Sequence, residues 1–446
     1  MHCCASTRTS GTDAVAARIQ IIGLGVEAEG RLTAAAEAAL AEAELVIGAR
    51  RQLDWLQNLV EGEILPRCEV LPKLDDLPAR IDACAGEVVV LASGDPLYFG
   101  IGRWFGERYP RERLVFHSAV SSIQAACARL GFALQDCGVL SLHGRPLEGL
   151  RRHLQPGRRL ILLTDRDSGP RALVDECLRA GLASSTLWVC ENLGYPDERI
   201  HRIEVTENAE IGGDFADLQV SVLELRGERG TVPFFPGIDD ESFATDGGPG
   251  QGMISKREVR LQIVALLQAA PGDTVWDVGA GCGSVAVELA LWQPDARVMA
   301  VEQYGKRLAC IETNRDRFGV TNLEIVPGRA PEALADLRDP QRVFIGGSDG
   351  AIDVLLERCW SRLPAGGILA ASAVTDRTRD RLQTFAKTCA GSAQSTRVAI
   401  NRGIYENGAW HHTEKHPVTL FRFQKFNDLS RASGHLDTPG DLPDDN

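Results

Sequence analysis

The chain has 446 residues, 44% of them hydrophobic, and carries a formal net charge of −13. This length predicts two or three domains, and the negative balance excludes a protein that holds nucleic acid by bulk charge attraction. No apolar run approaches the ~20 residues needed to span a bilayer, and the N-terminus lacks the apolar core of a secretory signal, so we expect a cytoplasmic protein with no membrane segment.

The charge is unevenly distributed along the chain. Residues 253–425 hold 22 lysines and arginines against 19 aspartates and glutamates, a net charge of +3, so the rest carries −16. A mildly basic second half suits a small substrate with several carboxylates better than a nucleic acid.

The 12 cysteines are scattered and form no C-x-x-C pair and no Cys/His spacing typical of zinc sites. Most lie in apolar segments, such as Cys127, Cys177 and Cys310. We therefore predict reduced core cysteines in a cytosolic protein, and no metal site.

The first half alternates predicted strands with predicted helices. The strands lie in the stretches IQIIGLG, VVVLASGD, LILLTD and TLWVCENLG and at residues 44–47, and the helices cover residues 32–43 and 121–130. This alternation predicts an α/β domain with a mainly parallel sheet over residues 18–228. The small, polar residues 1–17 are predicted to be a disordered tail.

Residues 229–252 interrupt this alternation. They are rich in Gly, Pro and Asp, and the stretch TDGGPGQG predicts a flexible linker. A second α/β domain is predicted over residues 253–425, and residues 426–446 are predicted to be an acidic disordered tail. Its predicted helices cover residues 256–268 and 284–292, and its predicted strands cover residues 274–278, 297–301, 323–326, 342–345 and 367–371.

The most informative stretch of the second half is WDVGAGCGS. A buried strand is predicted to end at Val278, and Gly279, Gly281 and Gly283 then let the backbone turn tightly and approach a ligand closely. A helix is predicted to begin at Ser284, so its free N–H groups face the same ligand and favour a carboxylate.

Two acidic residues flank this loop. Asp277 precedes it and can meet an ammonium group, directly or through water. Glu302 ends the next strand, 25 positions later, where a carboxylate can accept both hydroxyls of a ribose. Together with Ala280 and Cys282 in the loop, these residues predict a site for S-adenosylmethionine.

Two other interpretations of the loop are open. A dinucleotide fold has the spacing G-x-G-x-x-G, whereas the spacing here is G-x-G-x-G. An acid before the first glycine also suits an amino-acid-bearing nucleoside better than a pyrophosphate. The remaining alternative is an ordinary turn between a strand and a helix.

Two later loops extend the predicted site. The stretch GRAP, residues 328–331, follows the predicted strand of residues 323–326, where the backbone typically borders an adenine. The loop GGSDG, residues 346–350, lacks the Asn-Pro-Pro-Tyr type motif of enzymes that methylate amide or ring nitrogens. This absence favours another acceptor, such as carbon, although a glycine-rich loop at a strand end can also be a mere turn.

Both halves carry motifs of known families. The stretches MISKREVR, WDVGAGCGSVAVELA, AVEQ, GRAPEAL and VFIGGSDG resemble the decarboxylating methyltransferases of corrin biosynthesis that act on precorrin-6. The stretches IIGLGVEAEGRLT, SGDPLYFGIG, HSAVSSIQAACARLG, SLHGR and CENLGYPDERI resemble the tetrapyrrole methylases. The order of the two modules is that of the bifunctional corrin C5,15-methyltransferases.

This resemblance implies a two-lobed tetrapyrrole methylase fold joined to a Rossmann-like class I methyltransferase fold. It implies that precorrin-6B is methylated from S-adenosylmethionine at carbon 5 by the first module. The second module would methylate carbon 15 and decarboxylate the ring C acetate, giving precorrin-8 in cobalamin biosynthesis. A small tetrapyrrole would be the partner, with no metal cofactor, no nucleic acid and no membrane, and the protein would be a homo-oligomer.

The resemblance also implies cofactor contacts in both modules. The residues concerned are Ser255 and the backbone of Ala330 in the second module, and Gly94, Asp95, Ser121 and Ser122 in the first. Structural roles compete with these contacts: Asp95 can cap a turn before proline, and Ser121, Ser122 and Ser255 can cap helices.

Other polar residues are candidates for substrate contacts. Gly346, Gly347 and Ser348 lie in the loop described above, and Lys256, Arg257, Arg260, His143 and Arg145 are candidates for binding substrate carboxylates. A charged run that opens a helix is, however, usually a solvated face. Glu191 and Asn192 end a predicted buried strand and are expected to line the first cleft. His411 and His412 are adjacent on a predicted strand and point to opposite faces, which disfavours a metal pair.

Some positions depart from the family patterns. Tetrapyrrole methylases usually have a proline in the loop G-x-G-P-G, where this chain has Gly23-Leu24-Gly25-Val26-Glu27. A first module that binds without catalysing is therefore an alternative. Arg329 and Arg342 stand where relatives often have acids. A tRNA adenine methyltransferase is the alternative for the second half, and the motifs do not identify catalytic residues in either half.

Overall fold

The computed structural model describes residues 17–26, 32–59, 66–228 and 230–426. The chain divides into two compact units. The first comprises the residues up to 144 with 157–178 and 183–226, and the second comprises 145–156, 179–182 and the residues from 227 onward. The second unit thus takes two short stretches from the predicted first domain, which the sequence pattern did not indicate. Apart from residues 17 and 426, the predicted tails lie outside the described residues.

The first unit alternates strands and helices, as predicted. Its elements are β1 (Ile19–Gly23), α1 (Ala34–Ala41), β2 (Leu45–Gly48), α2 (Arg50–Leu59), β3 (Arg67–Val70), α3 (Leu77–Asp82), β4 (Val88–Ala92), α4 (Gly102–Gly106), β5 (Leu114–His117), α5 (Ser122–Leu130), β6 (Cys137–Ser141), β7 (Arg159–Leu163), α6 (Pro170–Arg179), β8 (Thr186–Glu191), β9 (Arg199–Glu204) and β10 (Gln219–Glu224).

These strands form two five-stranded sheets, which confirms the predicted two-lobed fold. The first has the order β3-β2-β4-β1-β5 and is parallel throughout. The second has the order β6-β7-β10-β8-β9, in which only β6 and β7 are parallel. The expectation of a mainly parallel sheet is therefore wrong for the second lobe. The chain turns straight back from β8 to β9, whereas a parallel pair needs a long crossover.

The second unit has the predicted Rossmann-like class I methyltransferase fold. Its elements are α7 (Arg257–Leu267), β11 (Thr274–Val278), α8 (Ser284–Trp292), β12 (Arg297–Glu302), α9 (Gly305–Phe318), β13 (Leu323–Pro327), β14 (Arg342–Ile345), α10 (Ile352–Arg362), β15 (Ile368–Ala373), α11 (Asp376–Thr388), β16 (Gly391–Glu406) and β17 (Ala409–Lys425).

The second unit is built on one seven-stranded sheet of order β13-β12-β11-β14-β15-β17-β16. Strands β11 to β15 are parallel, and β17 is antiparallel to both of its neighbours. Every residue of β11 is buried: Val275 packs into one hydrophobic cluster, and Trp276 and Val278 pack into another. A central strand covered on both faces explains why Val275, Trp276 and Val278 are all apolar although their side chains point to both faces.

The segment before α7 differs from the predicted flexible linker. Ile238, Asp240 and Phe243 are buried in the second unit, and Ile238 and Phe243 belong to its hydrophobic core. Asp240 forms an ion pair with the fully buried Arg260. The segment folds onto the second unit because a buried guanidinium requires partners. Arg229, the first residue of the predicted linker, lies outside the described residues.

Strands β16 and β17 form a long hairpin that was not predicted. Their register runs to the pair Glu406 and Ala409, and the two-residue turn is Asn407-Gly408, both with positive φ. Asn-Gly is a preferred pair in such turns because both residues tolerate that conformation. Among the described residues, none of the helices combines the length and the apolar character that a membrane crossing requires.

Candidate active sites

A pocket opens in the second unit at the carboxyl ends of β11, β12, β13 and β14, the edge where α/β sheets bind ligands. Predicted residues in its wall are Gly279, Gly281, Glu302, Ala330, Gly346, Gly347 and Ser348. The structure therefore brings together the glycine loop, the acid after β12, and the two later loops. Ala280, Cys282 and Gly283 complete the turn behind this wall.

The glycine loop is held tightly on both sides. Gly279 and Gly281 have φ values of +71° and +59°. A Cβ on Gly279 would collide with Gly347 O, and one on Gly281 would lie 2.5 Å from Met253 O. These two positions therefore require glycine for both conformation and space. Helix α8 begins directly after Gly283, as predicted.

Glu302 is fixed at the pocket by the backbone around it. Its side chain is only 4% exposed, and Oε2 accepts a hydrogen bond from Gly281 N at 2.8 Å. Oε1 accepts from Gln303 N at 2.9 Å and Tyr304 N at 3.0 Å. A carboxylate thus stands in the pocket wall in a defined orientation, and its contact with a ribose stays a prediction.

Asp277 is a buried carboxyl without a hydrogen-bonded partner. It is 1% exposed, and neither of its oxygens makes a hydrogen bond of normal geometry within the described residues. Burial raises the pKa of Asp277 to about 7; the nearby Ala286 N–H lowers it, and the negative charge of Glu302 raises it. Such a group favours a cationic ligand. Asp277 does not line the pocket, so its contact with an ammonium group stays a prediction.

Sequence reasoning missed several residues of this pocket: Met253, Gln303, Tyr304, Arg307 and Asp349 also line it. Arg307 could have been predicted from its position, because it lies five residues after Glu302 and in the first turn of α9. Its Nη1 lies 3.9 Å from Glu302 Oε1, and its guanidinium lies 4.5 Å from the centre of the Tyr304 ring.

The charged residues at the start of α7, Lys256 and Arg257, form hydrogen bonds and ion pairs within the protein. Lys256, not Ser255, is the N-cap residue of α7, which has no side-chain capping bond, so the capping role expected for Ser255 is wrong. Lys256 Nζ donates to Gly250 O at 2.6 Å, and Arg257 Nη1 donates to Asp239 Oδ1 at 2.6 Å. None of these three residues lines the pocket, so their ligand contacts stay a prediction.

Arg260 is neither solvated nor open to a substrate. Its side chain is fully buried; Nε donates to Glu288 Oε1 at 3.1 Å and Nη1 to Asp240 Oδ1 at 3.1 Å. It also donates to Ser255 O at 2.7 Å. Both sequence interpretations of this residue, a substrate contact and a solvated face, are therefore wrong.

The two arginines that depart from the family pattern have separate partners. Arg329 lies at the pocket and its Nη2 is 3.8 Å from Asp349 Oδ2. Arg342 is half-buried at the start of β14 and its Nη2 is 3.4 Å from Asp273 Oδ2. Arg329 alone of the two lines the pocket.

A second pocket lies in the first unit. Its wall includes the predicted residues Gly94, Ser121 and Ser122, together with Gly25, Tyr98 and Gln219. Gly94 has a φ of +60°, and a Cβ there would lie 3.1 Å from Ser121 Cα. Its N–H donates to Gly25 O at 3.3 Å, so the loops after β1 and β4 meet here without the usual proline.

The structural alternatives hold for two predicted contacts in this unit. Ser121 caps α5, with its hydroxyl accepting from Gln124 N at 3.3 Å. Asp95 Oδ1 accepts from Leu97 N at 2.8 Å and Tyr98 N at 3.1 Å, so its carboxylate closes a turn. Ser121 also lines the pocket, whereas Asp95 does not.

Glu191 and Asn192 lie beside this pocket rather than in its wall. Burial alone would raise the pKa of Glu191, but hydrogen bonds from the Ala216 N–H and from His201 lower it. His201 Nε2 lies 2.6 Å from Glu191 Oε2. The neighbouring residues Cys190 and Leu193 line the pocket instead.

His143 and Arg145 are exposed, and neither lines the first-unit pocket. Their predicted contact with substrate carboxylates stays a prediction. His411 and His412 are exposed on β17, opposite Ile404 and Gly403 of β16. The described ranges contain no cluster of three or more His, Cys, Asp or Glu side chains arranged to hold a metal ion.

Each half of the chain matches a known protein family. The family profile described as tetrapyrrole (corrin/porphyrin) methylases matches residues 18–209, and the one described as a precorrin methyltransferase domain matches residues 242–425. A precorrin-6Y C(5,15)-methyltransferase [decarboxylating] from Sinorhizobium sp. is 37% identical over 365 residues, which is 80% of this chain and 84% of the relative.

Two shorter relatives each resemble part of the chain. A cobalt-precorrin-7 C(5)-methyltransferase from Salmonella typhimurium is 29% identical over 47% of this chain and 100% of its own length. A probable cobalt-precorrin-6B C(15)-methyltransferase (decarboxylating) from Saccharolobus solfataricus is 27% identical over 43% of this chain and 96% of its own length.

Proposed function

Because the chain belongs to the precorrin-6Y C(5,15)-methyltransferase (decarboxylating) family, we propose that it methylates precorrin-6B at carbons 5 and 15 and decarboxylates it. The product is precorrin-8, an intermediate of cobalamin biosynthesis. The observation that carries this proposal is the presence of two unlike glycine-lined pockets, one in each unit, within one chain of this family.

The two reactions are divided between the units. The first unit, described as a tetrapyrrole methylase, methylates carbon 5, and the second methylates carbon 15 and releases carbon dioxide. Separate relatives named for each of these carbons support this division. The predicted boundaries, residues 18–228 and 253–425, are part of the proposal, with residues 237–252 added to the second module.

S-adenosylmethionine is the proposed methyl donor, and the second pocket fits it. Its sulfonium carries a methyl group that is already activated for transfer. Glu302 holds the ribose hydroxyls, and the unpartnered Asp277 meets the ammonium group. Gly279 and Gly281 let this loop pack closely against Gly347 and Met253, and this close packing shapes the pocket wall. The protein therefore contributes mainly by positioning the methyl group and its acceptor, and a strong base is not needed.

Decarboxylation needs an electron sink rather than a metal. Methylation at carbon 15 leaves a cationic iminium in the conjugated ring. The carbon–carbon bond to the acetate carboxylate then breaks, carbon dioxide leaves, and the electron pair enters the ring. The loop of Gly346, Gly347 and Ser348 forms the wall on which the substrate lies.

The direct test is to incubate the full chain with S-adenosylmethionine and precorrin-6B and to weigh the product. We expect a gain of two methyl groups less one carbon dioxide. An unchanged substrate, with protein that is folded by circular dichroism, would refute the proposal.

The alternative, a tRNA adenine methyltransferase, makes a different prediction. It requires RNA binding that weakens steeply with salt and methyl transfer to RNA. We expect neither, because residues 253–425 carry a net charge of only +3. Methylated tRNA in the same assay would favour the alternative.

We propose that the protein is a cytoplasmic homo-oligomer. The far part of the β16–β17 hairpin exposes Ile404, Tyr405 and Trp410, each about three-fifths exposed, and β16 is the edge of its sheet. Apolar side chains on an edge strand are a surface that a second copy can cover. Light scattering should report an oligomer for the wild type and a smaller species for Tyr405→Ser/Trp410→Ser, with Val354→Ser, an exposed position on α10, as the control.

A further inference from the structure

Residues 244–253, of which 244–252 belong to the predicted flexible linker, contact the glycine loop of the second pocket. The buried Asn314 joins the two: its Oδ1 accepts from Ala244 N at 2.7 Å, and its Nδ2 donates to Cys282 O at 2.9 Å. Met253 O accepts from Cys282 N at 3.0 Å. Met253, the last residue of the segment, lines the pocket, so the 244–253 segment supports the pocket wall from behind.

Asp246 connects this segment to helix α9. Its Oδ1 accepts from Met253 N at 2.8 Å, and its Oδ2 accepts from Arg307 Nε at 3.0 Å. The hydrogen bond from Met253 and the charge of Arg307 hold the pKa of Asp246 below its usual value. A Cβ on Gly252 would collide with Asp246 Oδ1, so the turn closes only with glycine there.

The partner of Asp246 is also close to Glu302. Arg307 places Nε against Asp246 at 3.0 Å but keeps Nη1 3.9 Å from Glu302 Oε1. The hydrogen bonds to Glu302 come instead from backbone N–H groups. Asp246 thus holds the guanidinium in the pocket wall without letting it close onto Glu302.

We infer that Asp246 is a positioning residue: it restrains Arg307 so that Glu302 stays available to the ribose hydroxyls of the cofactor. This inference rests on the proposed function, since it assumes that Glu302 binds the ribose. Without Asp246, the nearest carboxylate for Arg307 is Glu302. A direct arginine–carboxylate pair would occupy the oxygens that the ribose needs, because charged pairs of this kind are strong and directional.

The test variant is Asp246→Asn in the full chain. The amide keeps an oxygen for Met253 N but loses the charge that restrains Arg307. We expect the KM for S-adenosylmethionine in carbon dioxide release to rise about tenfold while kcat changes by less than about twofold, as for a loss of binding that is equal in the ground state and the transition state. Asp316→Asn, which removes an exposed carboxylate on the same helix as Arg307, should leave both unchanged.

The double variant Asp246→Asn/Arg307→Gln separates two roles of Asp246. One is to restrain Arg307, and the other is to support the 244–253 segment. If Arg307 captures Glu302 in the single variant, removing it should recover most of the lost affinity. A KM that stays as high in the double variant would overturn the inference, as would an unchanged KM in Asp246→Asn. If Asp246→Asn does not fold, Asp246→Ser gives the same comparison. Failure of the proposed function is distinct, because then the wild type itself releases no carbon dioxide.

Discussion

Arg260 Nε donates to Glu288 Oε1 at 3.1 Å, and both side chains are fully buried. Glu288 uses the same carboxylate to accept from Ile238 N at 2.9 Å and from Trp292 Nε1 at 2.6 Å. The pair therefore joins α7, α8 and the segment before α7 in a single network.

Replacing Arg260 by methionine should strongly destabilise the second unit. The change leaves Glu288 buried without its cation, which typically costs about 3–5 kcal/mol of unfolding free energy. Guanidinium unfolding followed by circular dichroism measures the loss. Arg379→Met removes an exposed ion pair with Asp376 and should cost less than about 0.5 kcal/mol; equal effects of the two changes would contradict the role given to Arg260.

Replacing Gly281 by alanine should abolish the second reaction. The added Cβ lies 2.5 Å from Met253 O, so the loop or the 244–253 segment must move. A displacement of about 1 Å can cost about a hundredfold in rate, and carbon dioxide release measures it. Gly272→Ala is the matched control: Gly272 also has positive φ, +84°, but its Cβ meets open space, so near-normal release is expected. Equal losses in both variants would point to backbone strain alone.

Cofactor binding at the second pocket should strengthen as pH rises towards neutrality. The raised pKa of Asp277, about 7, means that the ligand-free carboxyl is largely protonated in acid, and an ammonium ligand must displace that proton. Affinity should rise more than about tenfold between roughly pH 5.5 and 7, measured by calorimetry. Asp277→Asn should bind weakly and lose this dependence; a wild type that binds equally at both pH values would contradict the assignment.

The same carboxyl should make ligand-free stability depend on pH. Since the folded pKa of Asp277 is raised, its contribution to stability is fully present below the unfolded value of about 4 and is lost as pH rises through about 7. Asp277→Asn should therefore gain stability relative to the wild type from acid to pH 8, measured as Tm without cofactor. A constant difference across this range would show that Asp277 does not titrate there.

Replacing Gly94 by alanine should silence the first reaction only. The Cβ would lie 3.1 Å from Ser121 Cα at the first pocket. The product should then gain one methyl group less one carbon dioxide. Gly131→Ala, with φ +70° and open space around its Cβ, should give the normal product. A wild type that binds one cofactor per chain and gains one methyl would instead support the alternative of a first module that does not catalyse.

The sequence predicted the elements that build the second pocket because their signals are local. The apolar residues Val275, Trp276 and Val278 mark β11, and the three closely spaced glycines that follow mark a turn into α8. Both elements have the predicted bounds. Glu302 could be predicted as well, because it ends the next strand after the glycine loop.

The partners of charged residues could not be predicted from the sequence, because they are far apart along the chain. Arg260 looked like part of a solvated run because its partner Glu288 is 28 residues away. Asp246 and Arg307 are 61 residues apart, and no periodicity links them. The composition of TDGGPGQG is that of a linker, but a glycine-rich turn closed by Asp246 has the same composition. The antiparallel strand β9 of the first unit was missed because its sequence, RIHRIE, carries little apolar signal of its own.

The buried position of Arg260 also limits how such a two-module chain can be divided into separate polypeptides. A polypeptide that begins at residue 253 would keep the arginine but leave behind Asp240 and the Ile238 carbonyl that it contacts. A gene break that yields an independent second enzyme must therefore lie upstream of residue 238, or be accompanied by loss of the arginine itself. In single-module relatives, we expect a gene that encodes an arginine at this position of the helix to begin far enough upstream to encode its partners as well.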